Sequence, residues 1–406
     1  MAILEDVGHV VVGGGPDLVC HWPRQGGIWH WGDEILVAYI ESPCEYKEER
    51  EVGHGQDGIW KRGYVRLRRS LDGGLTWSDA GKVFDNSLPL QQQRRVLHLD
   101  EYHHENITGH VGAKRESIDM SNPDAILIMG RAWCGDEIKL PDGTTARDNV
   151  TYCYRSPDRG LRWEEVPSIV WPNCTRTVVE LANNTLKLGA HRLVCWVVGS
   201  EGIEGVIGAG TYSPQLYASE DDGVTWDFYT EVFHDATARI AASYPHVVAL
   251  PSGRWLCFLG CWRQSLGCGH QHGRPRDIRW TSLCVSDDEG LNWSEPRRMH
   301  SWSVSPFPIL LNDGRLVVIY MRRVPDPTGL YAIVSEDEGL HWSPPACIRD
   351  DIPACGPREF IDGGYPVAIQ MDDGRIFTAY YWQHDDPDVP WYGGRKFIAG
   401  TFLRLE

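Results

Sequence analysis

Strand-length apolar runs recur along the whole chain, each entered through a polar turn. "WGDEILVAY" at 31–39, "NPDAILIMG" at 122–130, "KLGAHRLVCW" at 187–196, "PSGRWLCFLG" at 251–260, "NDGRLVVIY" at 312–320 and "DDGRIFTAYY" at 372–381 form six such units. Runs this short and this rich in Val, Ile and Leu, bounded by Gly and Asp, predict β-strands and not helices.

A second repeat runs out of phase with the first. Ser-x-Asp-x-Gly-x-x-Trp occurs five times, at 70–77, 156–163, 219–226, 286–293 and 335–342. Its residue types predict a hairpin turn. Ser and Asp satisfy backbone N–H groups, Gly takes a positive φ, and Trp folds back as an apolar plug. These residues are expected to stabilise the turn and to take no part in chemistry.

Alternation of the two turns predicts a four-stranded antiparallel module. Six modules arranged radially give an all-β, six-bladed β-propeller that occupies residues 1–406 as a single domain. The sixth unit lacks a Ser-x-Asp turn, so the N-terminal strand is expected to complete it and close the ring.

Composition agrees with this reading. Hydrophobic residues make up 42% of the chain and 18 are Trp, enough for a large core. The formal charge of −17 argues against nucleic acid or an anionic membrane surface as partner. The opening stretch lacks a charged region followed by an apolar one, so the sequence as it stands predicts a cytoplasmic protein, and a secreted or periplasmic one if a leader has been removed. Twelve scattered Cys, such as Cys153 and Cys195 within strand-like runs, read as buried thiols. Cys268, His270 and His272 have the residue types of a metal site but read as a loop cluster, and no metal or cofactor is expected. Asn106 to Thr108 and Asn292 to Ser294 match the glycan acceptor pattern, though nothing in the opening stretch calls for a glycan.

Topology predicts where a site should lie. Both repeats fall on one face of an up-and-down propeller, which leaves the long segments 41–63, 84–118, 132–148, 198–212 and 261–279 on the other. Innermost strands start on that face, and His21 in "HWPRQGGI", Tyr244 in "SYPHVVAL" and Tyr365 in "GYPVAIQM" stand at three such starts. Second strands end there, with Arg131, Arg263, Arg322 and Arg323. Arginines at converging strand ends could receive a carboxylate; individually they also read as surface residues paired with nearby acids.

Five Ser-x-Asp turns on a six-unit propeller resemble the sialidase superfamily, whose members carry this element as the Asp box, or BNR repeat. The resemblance covers almost the whole chain. It implies three arginines on a substrate carboxylate, a Tyr nucleophile activated by Glu, and an Asp acid/base. "GYPVAIQMDDGRIFTAYY" resembles the segment that carries the nucleophile and places Tyr365 there. Arg322 or Arg323 falls at the third arginine. Arg263 is a looser match to the second.

Departures from the family are specific. Its Arg-Ile-Pro is His21-Trp22-Pro23 here, with Arg24 as the residue that could reach in instead. The Glu that activates the nucleophile falls on Tyr244, and the Glu that steadies the first arginine falls on Tyr381. Asp57, with His54 three residues before it, is the candidate acid/base, although its spacing to the first Ser-x-Asp turn is too long and a solvated loop residue fits equally.

Three functions remain in view. The first is an exo-acting, sialidase-like glycoside hydrolase on an acidic sugar or glycan, with Tyr365 as nucleophile or its assistant and His21 or His54 with Tyr244 for proton transfer. The second is a lyase that eliminates across a uronate using Tyr and His. The third is a non-catalytic carbohydrate-binding propeller with Trp60, Trp133, Trp262, Trp382 and Trp391 as stacking surfaces.

Overall fold

The computed structural model describes residues 4–52, 59–99, 115–132, 134, 137–139, 145–147, 150–171, 177–189, 191–201, 211–237, 239–263, 279–301, 303–323, 327–353, 361–386, 388–389 and 394–406. Six antiparallel sheets stand as the blades of a propeller. Strands run from the axis outwards in chain order. Blade 1 pairs Leu18–His21 and Gly27–Trp31 with Glu34–Pro43, followed by Tyr64–Ser70 and Ser78–Asp85. Blade 3 comprises Thr177–Leu188, Arg192–Glu201, Thr211–Ser219 and Asp227–Glu231. Ile240–Ala249, Trp255–Arg263, Arg279–Ser286 and Arg297–Ser301 form blade 4, and Val304–Leu310, Leu316–Arg322, Gly329–Ser335 and Ala346–Arg349 form blade 5.

Two blades depart from the simple repeat. Blade 2 contains three strands among the described residues, Ile126–Ala132, Val150–Ser156 and Ser168–Trp171. Blade 6 takes Gly364–Gln370, Ile376–His384 and Arg395–Leu405 from the end of the chain and Leu4–Gly13 from its beginning, with Leu4 opposite Leu405. The expected closure by the N-terminal strand is present.

Second strands are covered on both faces by neighbouring blades, which explains why they read as continuous apolar runs. Leu36, Val37, Ala38 and Tyr39 in blade 1 are fully buried, as are Leu256, Cys257, Phe258 and Leu259 in blade 4. Of the described cysteines, Cys153, Cys195 and Cys257 are buried free thiols and Cys347 is exposed. No helix among the described residues is long and apolar enough to cross a membrane.

All five Ser-x-Asp turns adopt one hydrogen-bond pattern. In the first, Ser70 Oγ donates to Asp72 Oδ1 at 2.8 Å and accepts from Gly74 N at 2.8 Å, while Thr76 N donates to Asp72 Oδ1 at 2.9 Å. Gly74, Gly160, Gly223, Gly290 and Gly339 all have φ between 80° and 91°. The Trp indole bonds the Gly carbonyl in four of the turns, as from Trp77 to Gly74 at 2.9 Å. The residue before the Gly stitches blades together: Glu289 O accepts from Tyr229 of blade 3, and Arg159 meets Glu34 of blade 1 at 2.8 Å.

Register separates these turns from the expected site. Ser243, next to Tyr244, stands opposite Gly260, whereas Ser286 of the fourth Ser-x-Asp turn stands opposite Trp255, five positions along the same strand. At ~3.3 Å per residue that is about 16 Å. On the turn face the axis opens into a cavity of about 360 Å³ walled by the apolar ends of the inner strands, including Val247, Ile309 and Ile369.

Candidate active site

Three inner strands carry the same irregularity at the same height. Tyr244-Pro245 in blade 4, Ser305-Pro306 in blade 5 and Tyr365-Pro366 in blade 6 each place two residues opposite one on the second strand. Their first residues have φ of 54°, 55° and 52°, and Trp22, before Pro23 in blade 1, has 53°. Positive φ is rare for bulky residues, and a following proline restricts the backbone further. Such bulges cost roughly 1–3 kcal/mol each and turn the strand so that a side chain points elsewhere than the pleat dictates.

Here the side chains turn to the axis. The Tyr244 and Tyr365 hydroxyls are hydrogen-bonded at 2.7 Å, with ring planes at 84° and centroids 5.3 Å apart. Both residues are buried. Gly260 makes room for Tyr244, since a Cβ there would sit 2.6 Å from the Tyr244 ring. Tyr381 packs against Tyr365 with centroids 5.7 Å apart, and His21 lies 4.8 Å from both Trp22 and Tyr381. Four of the residues singled out from the sequence, His21, Tyr244, Tyr365 and Tyr381, thus gather at one place.

The arginines divide. Arg323 joins this cluster: its guanidinium lies 5.5 Å from the Tyr365 ring centroid, donates to the Tyr381 hydroxyl at 2.7 Å and to Gly363 O at 2.8 Å, and meets Asp362 at 3.2 Å. Burial works against its charge, but Tyr381, Asp362, Tyr365 and Tyr244 outweigh that and hold its pKa above the ordinary arginine value. Strand alternation sends Arg322 the other way, 5.9 Å from the Tyr331 ring centroid on the neighbouring strand of its own blade. Arg263 is exposed at the end of its strand opposite Ile240, and no hydrogen bond or ion pair among the described residues ties it to the tyrosines. Arg131 is buried in blade 2 opposite Thr151.

Arg24 does not present itself at the rim as the sequence suggests. It is fully buried and donates to Tyr244 O at 2.5 Å, to Pro245 O at 2.7 Å and to Pro306 O. Two of the stacking residues need the same correction. Trp382 is 1% exposed beneath Arg349, and Trp262 is 7% exposed between Tyr212 and Arg279, so neither offers a face to a sugar. His54, Asp57, Trp133, Trp391 and the Cys268–His272 cluster lie outside the described residues, as does the Trp60 side chain.

The sequence did not disclose Asp362, Lys396, Gln383 or Ser305. Asp362 is fully buried; it accepts from the Tyr381 hydroxyl at 2.5 Å and faces Arg323 and, at 3.8 Å, Lys396. Lys396 in turn donates to Asp362 O and to Gln383 Oε1, both at 2.9 Å. Burial pushes the Tyr381 phenol well above its ordinary value, with Arg323 pulling the other way. A Lys inside the apolar strand "RKFIAGTFL" and an Asp three residues before Tyr365 were the available signals.

Among the described residues a separate group, Asp119, His191 and Asp222, has metal-ligand atoms within 4.8 Å, on the turn face between blades 2 and 3. Its donors are already engaged: Asp222 accepts from His191 at 2.8 Å and from Met120 N at 3.0 Å, and Asp119 from Ser121.

No family model and no curated protein matches the chain. Solved structures do. A protein of unknown function from Dyadobacter fermentans DSM 18053 superposes with a TM-score of 0.64 at 17% identity over 99% of this chain and 100% of that one. A variant of the α-L-arabinofuranosidase Arb93A from Fusarium graminearum, in complex with an iminosugar inhibitor, gives 0.59 at 12% identity over 99% and 98%. The NanB sialidase from Streptococcus pneumoniae gives 0.56 at 11% identity, covering 97% of this chain and 70% of that one. At such identities the likeness establishes the six-bladed propeller, and what this chain does rests on its own residues.

Proposed function

We propose that the protein is a carbohydrate-active enzyme, a sialidase-like exo-glycoside hydrolase that takes a terminal sugar onto the paired tyrosines. The hydroxyl pair of Tyr244 and Tyr365 carries this reading. A neutral phenol can approach an anomeric centre where an anionic nucleophile would meet a substrate carboxylate. The Tyr365 oxygen bonds to the anomeric carbon as the bond from that carbon to the aglycone oxygen breaks. The phenol proton passes through the Tyr244 hydroxyl to water, the aglycone oxygen takes a proton from water, and a further water then hydrolyses the glycosyl-tyrosine. Arg323, beside the Tyr365 ring, favours negative charge on the phenol oxygen as attack begins.

The neighbours support a sugar site without choosing the sugar, since their names include both a sialidase and an arabinofuranosidase. An acidic substrate finds Arg323 already occupied by Asp362, Gly363 and Tyr381, and Arg24 turned to backbone carbonyls. Recognition of a carboxylate would then fall to Arg263, exposed at the end of its strand.

The test is a panel of aryl glycosides of sialic acid, uronic acids, arabinofuranose and neutral hexopyranoses, with Tyr365→Phe as control. Release of aglycone by the parent and its loss in the variant supports the reading. A near-ultraviolet unsaturated product from a uronate polymer would replace it with elimination, and binding of glycans without turnover would replace it with a lectin.

A further inference from the structure

We propose that Arg24 is the positioning residue of the tyrosine pair: it fixes the Tyr244 hydroxyl against that of Tyr365 by holding the backbone of the bulge from which Tyr244 projects. This rests on the reading of the pair as the active centre.

The inner strand of blade 1 is broken at the height of the other bulges. His21 stands opposite Ile40 and Gly27 opposite Ala38, so Trp22 to Gly26 lie against Tyr39 alone. Blades 4, 5 and 6 span the same gap with two residues. The surplus forms a helical turn, Pro23–Gly26, that reaches the axis and touches blades 2, 3 and 6. Its seat is specific. A Cβ on Gly26 would fall 1.8 Å from Ala38 O, so only glycine lets the turn lie on its own second strand.

That turn delivers one side chain to two other blades. The carbonyls of Tyr244 and Pro245 in blade 4 and of Pro306 in blade 5 all accept from Arg24. A bulge takes these carbonyls out of the strand ladder, and a buried carbonyl without a donor is costly. The rigid, five-donor fork of a guanidinium can serve several of them at fixed angles, which a lysine ammonium cannot reproduce. Tyr244 is thereby held at its carbonyl by Arg24 and under its ring by Gly260, and Arg24 sits 5.8 Å from that ring's centroid. Tyr365 has its own support in Arg323 and Tyr381. Releasing Arg24 therefore moves one member of the pair relative to the other.

The experiment is a double-substitution cycle between Arg24→Lys and Tyr244→Phe, on the glycoside the parent cleaves. Arg24→Lys should lower kcat at least ~10-fold with KM changed less than ~3-fold, and should cost less than ~2-fold once Tyr244 is already Phe. An unchanged kcat, or the same loss in both backgrounds, overturns the proposal. A second readout needs no substrate: near-ultraviolet titration of tyrosine, in which Arg24→Lys should alter the component that Tyr244→Phe removes. If that component is unaltered, the proposal fails. A parent that cleaves no glycoside sinks the proposed function, while this titration still decides the role of Arg24. Arg24→Lys keeps the buried cation, and it therefore serves where Arg24→Met does not fold.

Discussion

Tyr244 and Tyr365 stand 121 positions apart in the chain and in non-adjacent blades, yet their hydroxyls meet at 2.7 Å. Blade 5 lies between them, and at the equivalent bulge it carries Ser305, fully buried and with the same positive φ. A small residue there leaves the space across which the two rings meet.

Removing either oxygen tests the pair. Tyr365→Phe should keep the fold and lower kcat at least ~100-fold, the range in which nucleophilic or acid–base groups act. Tyr244→Phe should cost less if it only orients Tyr365 and as much if the two act together. Parent-rate turnover by Tyr365→Phe would place the chemistry elsewhere.

Ser305→Leu should lower activity while leaving the propeller folded, because the added branched side chain enters the space between two fixed rings. Overpacking of this kind costs roughly 1–3 kcal/mol. Circular dichroism and kcat together check it, and full activity would mean that Ser305 does not set the gap.

Asp362 is the carboxylate that faces both Arg323 and Lys396. Asp362→Ala leaves the buried Lys396 and the partly buried Arg323 without it, and breaking such a buried pairing typically costs about 3–5 kcal/mol. Urea denaturation should show that loss, with Asp362→Asn intermediate because it keeps the shape and some of the hydrogen bonds. A loss below about 1 kcal/mol for Asp362→Ala would mean the cations are stabilised by other groups.

Burial, with the Arg24 charge second, holds the His246 imidazole well below its ordinary value of 6.5. The ring is packed between Trp196 and Phe307, at 4.8 and 4.3 Å between centroids. The folded state keeps it neutral below pH ~6.5, where the unfolded chain takes up a proton, so stability falls as pH drops through that value, by at most about 1.4 kcal/mol per pH unit. His246→Leu should flatten Tm against pH between ~6.5 and ~5. Parallel curves for parent and variant would contradict this.

The Ser-x-Asp turns should bear on stability alone. Ser70→Ala removes three hydrogen bonds of the first turn and should cost about 1–3 kcal/mol. Asp72, held to about pKa 2 chiefly by the Thr76 hydroxyl, contributes above its ordinary 3.8 and loses that contribution as pH falls through 2. Asp72→Asn should lower Tm at neutral pH and leave kcat unchanged; a fall in kcat at constant Tm would join the turns to the chemistry.

Much of this was legible because it is local. A four-residue pattern repeated with its own hydrogen bonds, or an apolar run behind a turn, needs nothing from distant parts of the chain. The similar strand starts that carry His21, Tyr244 and Tyr365 were legible for the same reason, whereas Ser305, at the equivalent start in blade 5, was not singled out. What stayed hidden depends on direction and distance. Arg322 and Arg323 are neighbours in sequence, and only the pleat decides which one meets Tyr365. Arg24 has the residue type of an anion receptor, and only its inward turn shows that carbonyls take its donors. Asp362 and Lys396 pair across 34 residues, with no spacing rule to announce them.

The sixth blade has a consequence for how the molecule is made. Residues 4–13 find their partner only in 395–405, so the first strand must wait, edge exposed, while the other five blades emerge from the ribosome. An unpaired edge is an invitation to the wrong neighbour. The pairing of Gly364 with Tyr381 belongs to the same late blade, so Tyr365 reaches Tyr244 only after the other five blades have been made. A truncated chain would carry Tyr244 without its mate. The site is assembled by the same event that locks the ring, and a molecule with an open ring has no tyrosine pair with which to act.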